Sequence, residues 1–150
     1  MVNEADVIQA LHAILGDDAT GECDAKPDVV EKVTLLYGSR VSSDVLGKEL
    51  LDASALQYSS KFKVVHILSD ETKPEEEKKD ETSSEFEYGY IDQPLMERQV
   101  LGDDASKDDI MVFVCGPPPM YNALCGPRDK KELTGLLATM GFTAEQVYKF

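Results

Sequence analysis

A chain of 150 residues with 42% hydrophobic content has room for one domain around one core, and too much apolar material for wholesale disorder. Its formal charge of −14 argues against nucleic acid and anionic membrane surfaces as partners, because both would repel it. No apolar run approaches the ~20 residues that span a bilayer, and Met1 to Asp6 shows neither the basic start nor the apolar run of a signal peptide. The expectation is a cytoplasmic chain with no membrane segment.

The cysteines, Cys23, Cys115 and Cys125, are odd in number and lack metal-ligand spacing. That pattern predicts neither a disulfide framework nor a metal site, and it suits a reducing compartment. His12 and His66 each lie in an apolar-periodic segment and read as structural residues.

In chain order, Val7, Ile8, Leu11, Ile14 and Leu15 make one helical stripe, with Asn3 as a candidate N-cap and Gly16 as its stop. A polar stretch to Asp28 leads to Val33 to Tyr37, a short apolar run ending at Gly38-Ser39-Arg40, which predicts a buried strand. Ser42 or Ser43 can cap a helix burying Leu46, Leu50 and Leu51. Phe62 to Leu68 predicts a second buried strand. From about 71 to 86 the chain is mostly Glu, Lys, Asp, Ser and Thr, which predicts a solvated, mobile acidic loop.

A third helix is expected from about Pro94 to Val100 with Asp92 as its cap, followed by the strongest strand signal, Ile110 to Val114. That strand runs into three prolines, one of which can occupy the first turn of a helix through about Leu124. Leu133, Leu136, Leu137 and Met140 mark a last helix ended by Gly141, and Val147 to Phe150 a terminal strand. Alternating strands and amphipathic helices predict an α/β domain: a three-layer, doubly wound, mostly parallel sheet.

Ligands of open α/β sheets bind beyond the carboxyl ends of the strands. Three such ends are legible: Tyr37-Gly38-Ser39-Arg40, Leu68-Ser69-Asp70 and Val114-Cys115-Gly116. At the third, Cys115 would face the crevice and Gly116 would leave room for a ligand. Pro117, Pro118 and Pro119 would form a stiff wall with no donors, and Met120 would add adaptable apolar surface. Such a wall suits a flat ring better than a naked phosphate. A proline-rich helix start with a structural cysteine is the alternative reading, and physics alone leaves the two open.

The run Cys115-Gly116-Pro117-Pro118-Pro119-Met120 after a Val-rich strand resembles the signature of the cytochrome-b5-reductase and nitrate-reductase branch of the ferredoxin-reductase-like family. Val33 to Ser39 with Asp44-Val45-Leu46 and Glu49-Leu50, then Phe62 to Leu68, Tyr88 to Ile91 and Glu145 to Phe150, resemble further segments of its NAD-binding domain. The resemblance implies a ferredoxin-reductase-like fold and an oxidoreductase module that binds NADH for hydride transfer to FAD. Cys115 would align the nicotinamide. Gly116, Pro117, Pro118 and Met120 would line the nicotinamide-ribose and pyrophosphate region, Tyr37 and Ser39 would flank the nucleotide, and Phe150 would approach the flavin or nicotinamide.

At Ser69-Asp70, a carboxylate stands where NADP-dependent relatives often carry a basic residue. That favours NADH over NADPH, with Lys73 nearby as the counter-argument.

The family's flavin-binding motif has no counterpart here, so FAD is expected from a separate domain or subunit, and the isolated chain is expected to be weakly active or inactive. The family's first strand and glycine loop are expected to be missing, with Met1 to Asp6 in their place. A homodimer or partner chain could then complete the sheet. As part of a longer chain the domain could lie on the cytosolic face of a membrane. The acidic charge gives an acidic redox partner such as cytochrome b5 little to gain from docking here. The alternative function is a non-catalytic, truncated or diverged reductase-like protein acting as a binding or partner subunit.

Overall fold

The structure, a computed structural model, describes Leu11 and residues 30–73, 85–102 and 106–150. The expected first helix apart from Leu11, the polar stretch to Asp28, His12, Cys23, the expected glycine-loop replacement at Met1 to Asp6 and most of the acidic tract lie outside the described residues. The described residues divide into two compact units, one ending at Tyr90 and the other running from Ile91 to Phe150.

In the first unit, β1 (Val33–Ser39), β2 (Phe62–Leu68) and β3 (Glu85–Tyr88) form a parallel sheet in the order β1-β2-β3. The register pairs Val33 with Phe62 and Ser39 with Leu68. On the other side of β2, Val65 pairs with Glu85 and Leu68 with Tyr88. Strand β2 is central and, apart from Lys63, buried throughout, as its β-branched run predicts. Strand β1 was expected to be buried but is half-buried, because among the described residues β2 is its only strand neighbour.

Helix α1 (Lys48–Gln57) begins later than expected, after Gly47, whose φ of 64° is left-handed and suits glycine. Neither Ser42 nor Ser43 caps it: Ser42 to Asp44 is a separate 3-10 turn without a side-chain cap. The late start corrects the expected buried face. Leu51 packs with Leu11, Phe62 and Val64, while Leu46, ahead of the helix, and Leu50 are exposed.

Strand β3 corrects the loop expected up to residue 86. Its four residues, Glu-Phe-Glu-Tyr, alternate polar and apolar, a period-2 signal too short to stand out beside a charged tract.

In the second unit, α2 (Gln93–Met96) continues into a π-helical turn over Glu97–Leu101. Asp92 caps α2 as expected, its carboxylate accepting from Leu95 N–H at 2.9 Å. Strands β4 (Val112–Val114) and β5 (Val147–Lys149) pair in parallel, with Phe113 opposite Tyr148. Helix α3 (Pro118–Leu124) opens on prolines, which lack the N–H that a first turn leaves unused anyway. Helix α4 (Gly135–Thr139) is shorter than expected and leaves Leu133 outside it. At Gly135 φ is +71°, and a Cβ would stand 2.5 Å from the Ala123 carbonyl oxygen, so glycine permits both the backbone turn and the close approach to α3.

Side-chain-to-backbone bonds brace this unit. Lys149 Nζ donates to the carbonyls of Pro127, Lys130 and Glu132 at 3.0–3.1 Å. Gln146 Nε2 donates to those of Lys107 and Ile110 at 2.8 and 3.1 Å.

All pairings are parallel, as an α/β domain requires, but the described strands form two sheets where one was expected. The physical reason is local: among the described residues no strand is hydrogen-bonded to the outer edge of β1 or of β4.

Candidate functional site

In the first unit the ends of β1 and β2 stay in register beyond the strands themselves. Ser69 N–H donates to the Ser39 carbonyl at 3.0 Å, and Asp70 N–H to the Arg40 carbonyl at 2.8 Å. This backbone pairing sets Arg40 beside Asp70, and Arg40 Nε donates to Asp70 Oδ2 at 2.9 Å. Ser69 Oγ donates to the other carboxylate oxygen at 3.0 Å. The hydrogen bond from Arg40, then that from Ser69, holds the Asp70 carboxyl below the usual carboxylate range, and the same pairing with Asp70 raises Arg40. One residue on, Glu71 Oε1 accepts from both the N–H and the hydroxyl of Ser42, at 2.6 and 2.8 Å.

Tyr37 and Ser39, both expected beside a nucleotide, lie on β1 and are half-buried. The Tyr37 ring stands edge-on to that of His66, with centroids 6.0 Å apart. His66 is fully buried and its Nε2 lies 3.0 Å from Asp52 Oδ1, so the carboxylate fixes the proton on Nε2. The structural reading of His66 therefore holds.

In the second unit, the Cys115–Met120 turn joins β4 to α3. Cys115, Gly116 and Met120 are half-buried, while Pro117, Pro118 and Pro119 are exposed and carry no N–H donors. A Cβ at Gly116 would run into the Met120 sulfur, so glycine lets Met120 fold back under the turn.

Sequence reasoning missed Tyr121, which is buried directly below this turn. Its hydroxyl donates to the Phe150 carbonyl at 2.8 Å, with the Val114 carbonyl at 3.2 Å as a second acceptor. Phe150 N–H also donates to the Val114 carbonyl, at 3.1 Å, which ties the last residue to the strand that presents Cys115. The Phe150 ring belongs to an aromatic cluster, 5.1 Å from Tyr148 and 6.1 Å from Phe113 between centroids. Neither Cys115 nor Cys125 is in a disulfide. Among the described residues no group of side chains could hold a metal ion.

Residues 5–126 match the oxidoreductase NAD-binding domain family. The chain is 36% identical to NADH-cytochrome b5 reductase 2 of Saccharomyces cerevisiae, over 83% of this chain and 39% of that protein. This chain is a cytochrome-b5-reductase-like NAD-binding domain.

It is also 37% identical to NADH-cytochrome b5 reductase 2 of Scheffersomyces stipitis, over 79% of this chain and 37% of the relative. With the Neurospora crassa protein of the same name the figures are 38%, 83% and 34%. No solved structure matches the chain. The domain thus spans less than two fifths of each of these three relatives, and none of its described helices is long and apolar enough to cross a membrane.

Proposed function

We propose that the domain holds NADH for hydride transfer to FAD carried on a separate domain or subunit, as part of a cytochrome-b5-reductase-like electron-transfer protein. The single observation that carries this reading is the Cys115–Met120 turn, a partly open thiol and a rigid proline surface at the carboxyl end of a parallel strand. The relatives bear the name NADH-cytochrome b5 reductase, which supports the same reductant.

The chemistry of the residues present fits the dinucleotide. Ser69 and Asp70 offer a hydroxyl and a carboxylate to ribose hydroxyls, with Ser39 and Tyr37 on the neighbouring strand. Cys115 orients the nicotinamide face, Gly116 and Pro117 shape the approach, and Pro118 and Met120 exclude water from it. Phe150, fixed through Tyr121 and Val114, adds an aromatic edge just after β5. The bound dinucleotide supplies the hydride; the domain supplies proximity and orientation.

Rapid mixing of the domain and NADH with the separately prepared FAD domain of a related reductase tests the reading. Flavin bleaching that depends on the domain supports it. Absence of flavin reduction at saturating NADH removes the hydride-transfer role, and NADH binding without reduction points instead to a non-catalytic partner subunit.

A further inference from the structure

The ion pair at the ends of β1 and β2 bears on which dinucleotide the domain accepts. A lone carboxylate at this position would reject a ribose 2′-phosphate by like-charge repulsion. Asp70 is not a lone carboxylate: Oδ2 is held by Arg40 and Oδ1 by Ser69, at 2.9 and 3.0 Å. Glu71, the next acid, is already engaged by Ser42 through both N–H and hydroxyl.

The guanidinium meets Asp70 through Nε, which leaves the two terminal amino groups of its fork for a second acceptor. Arg40 is 79% exposed and Asp70 39%, so water already competes for the pair and exchanging partners costs little. The Ser42 and Ser69 hydroxyls already donate to Glu71 and Asp70, so it is the Arg40 fork that can meet a phosphate.

We propose that Arg40 is a specificity-determining residue: paired with Asp70, it lets the same strand ends take either a ribose 2′-hydroxyl or a 2′-phosphate. This rests on the dinucleotide reading given above and deepens it. With NADH, Asp70 accepts from the 2′-hydroxyl while Arg40 keeps it in place. With NADPH, Arg40 turns its fork to the phosphate, and Asp70 retains the bond from Ser69. The domain therefore binds NADPH within about tenfold of NADH, where an unpaired Asp70 would separate them further by about tenfold, the scale of one partly solvated charge interaction. The narrowing weakens as salt screens the Arg40–phosphate contact.

The test is equilibrium binding of NADH and of NADPH, read by nicotinamide fluorescence, to the wild-type domain and to Arg40→Gln, Arg40→Lys and Asp70→Asn. Arg40→Gln is expected to weaken NADPH about tenfold more than it weakens NADH, Arg40→Lys to fall between wild type and Arg40→Gln, and Asp70→Asn to shift the ratio towards NADPH. An NADPH-to-NADH ratio identical in wild type, Arg40→Gln and Arg40→Lys overturns the role of Arg40 while leaving NADH binding intact. Failure of the wild-type domain to bind either dinucleotide overturns the underlying reading, and the inference with it.

Discussion

The Tyr121 hydroxyl lies 2.8 Å from the carbonyl oxygen of Phe150, linking the first turns of α3 to the final residue of the chain. Burial, and secondarily the nearby charge of Cys115, push the phenol above its ordinary range, so the hydroxyl keeps its proton and donates. Tyr121→Phe preserves the ring and removes the donor. The Phe150 carbonyl is expected to lose its protein partner and the end of β5 to fray. A loss of about 1 kcal/mol in stability is expected, since the hydroxyl leaves together with its packing intact and Phe150 can turn to water. Denaturant unfolding, with amide exchange at Tyr148 to Phe150, checks this; unchanged protection there would show that the bond holds nothing.

The contact between His66 and Asp52 makes a sharper energetic prediction. His66 sits in the buried centre of β2 with Phe86 5.6 Å away between ring centroids, and among the described residues its Nδ1 has no hydrogen-bond partner. Asp52 serves both His66 and Lys48 and is partly solvated. Asp52→Ala strands a second polar nitrogen in the core and is expected to cost about 2 kcal/mol. His66→Phe removes both nitrogens and leaves Asp52 its lysine, so it should cost less. The double variant is expected to be more stable than Asp52→Ala alone, an interaction that a double-mutant cycle in urea measures directly. Simple additivity would contradict it.

Cys115 and Cys125 should separate chemically. Cys125 has no exposed surface, and burial pushes its thiol up, with Lys149 partly opposing the shift; Cys115 is partly open at the strand end. Iodoacetamide at mildly alkaline pH is expected to label Cys115 at least about tenfold faster, since the thiolate is the reactive form and burial disfavours it. The sign for stability follows from linkage. The folded-state value of Cys125 lies above its unfolded value, so its contribution is complete below the ordinary thiol value of 9.0 and is lost as pH rises through the raised one. A Tm that declines over that alkaline range in wild type should decline less in Cys125→Ala. Equal labelling of the two cysteines, by peptide mapping, would contradict the burial.

Much of the frame was legible in the sequence because the signals were local. The bounds of β2 followed from an apolar run broken only by Lys63 and His66, the Asp92 cap from a side chain three residues before its partner, and α3 from its prolines. The exposure of Leu46 was not legible, because it depends on Gly47 turning left-handed and delaying the helix. The separation into two sheets depends on which strand edges meet, and hydropathy does not report that. The site shows the same division. The Cys115–Met120 turn could be read from its residues alone. The Arg40–Asp70 pair needs the parallel register of β1 and β2, and the Tyr121–Phe150 bond needs the final residue brought back beside Val114. Contacts between residues 30 and 29 apart in sequence carry no periodic signal.

Whether these strand ends hold a nicotinamide dinucleotide is read by calorimetric titration of the domain with NADH. Saturable heat with one site per chain is expected, with protection of Cys115 from iodoacetamide by NADH at the same concentrations. Absence of binding heat up to millimolar NADH, with Cys115 labelled at the same rate throughout, would contradict such binding.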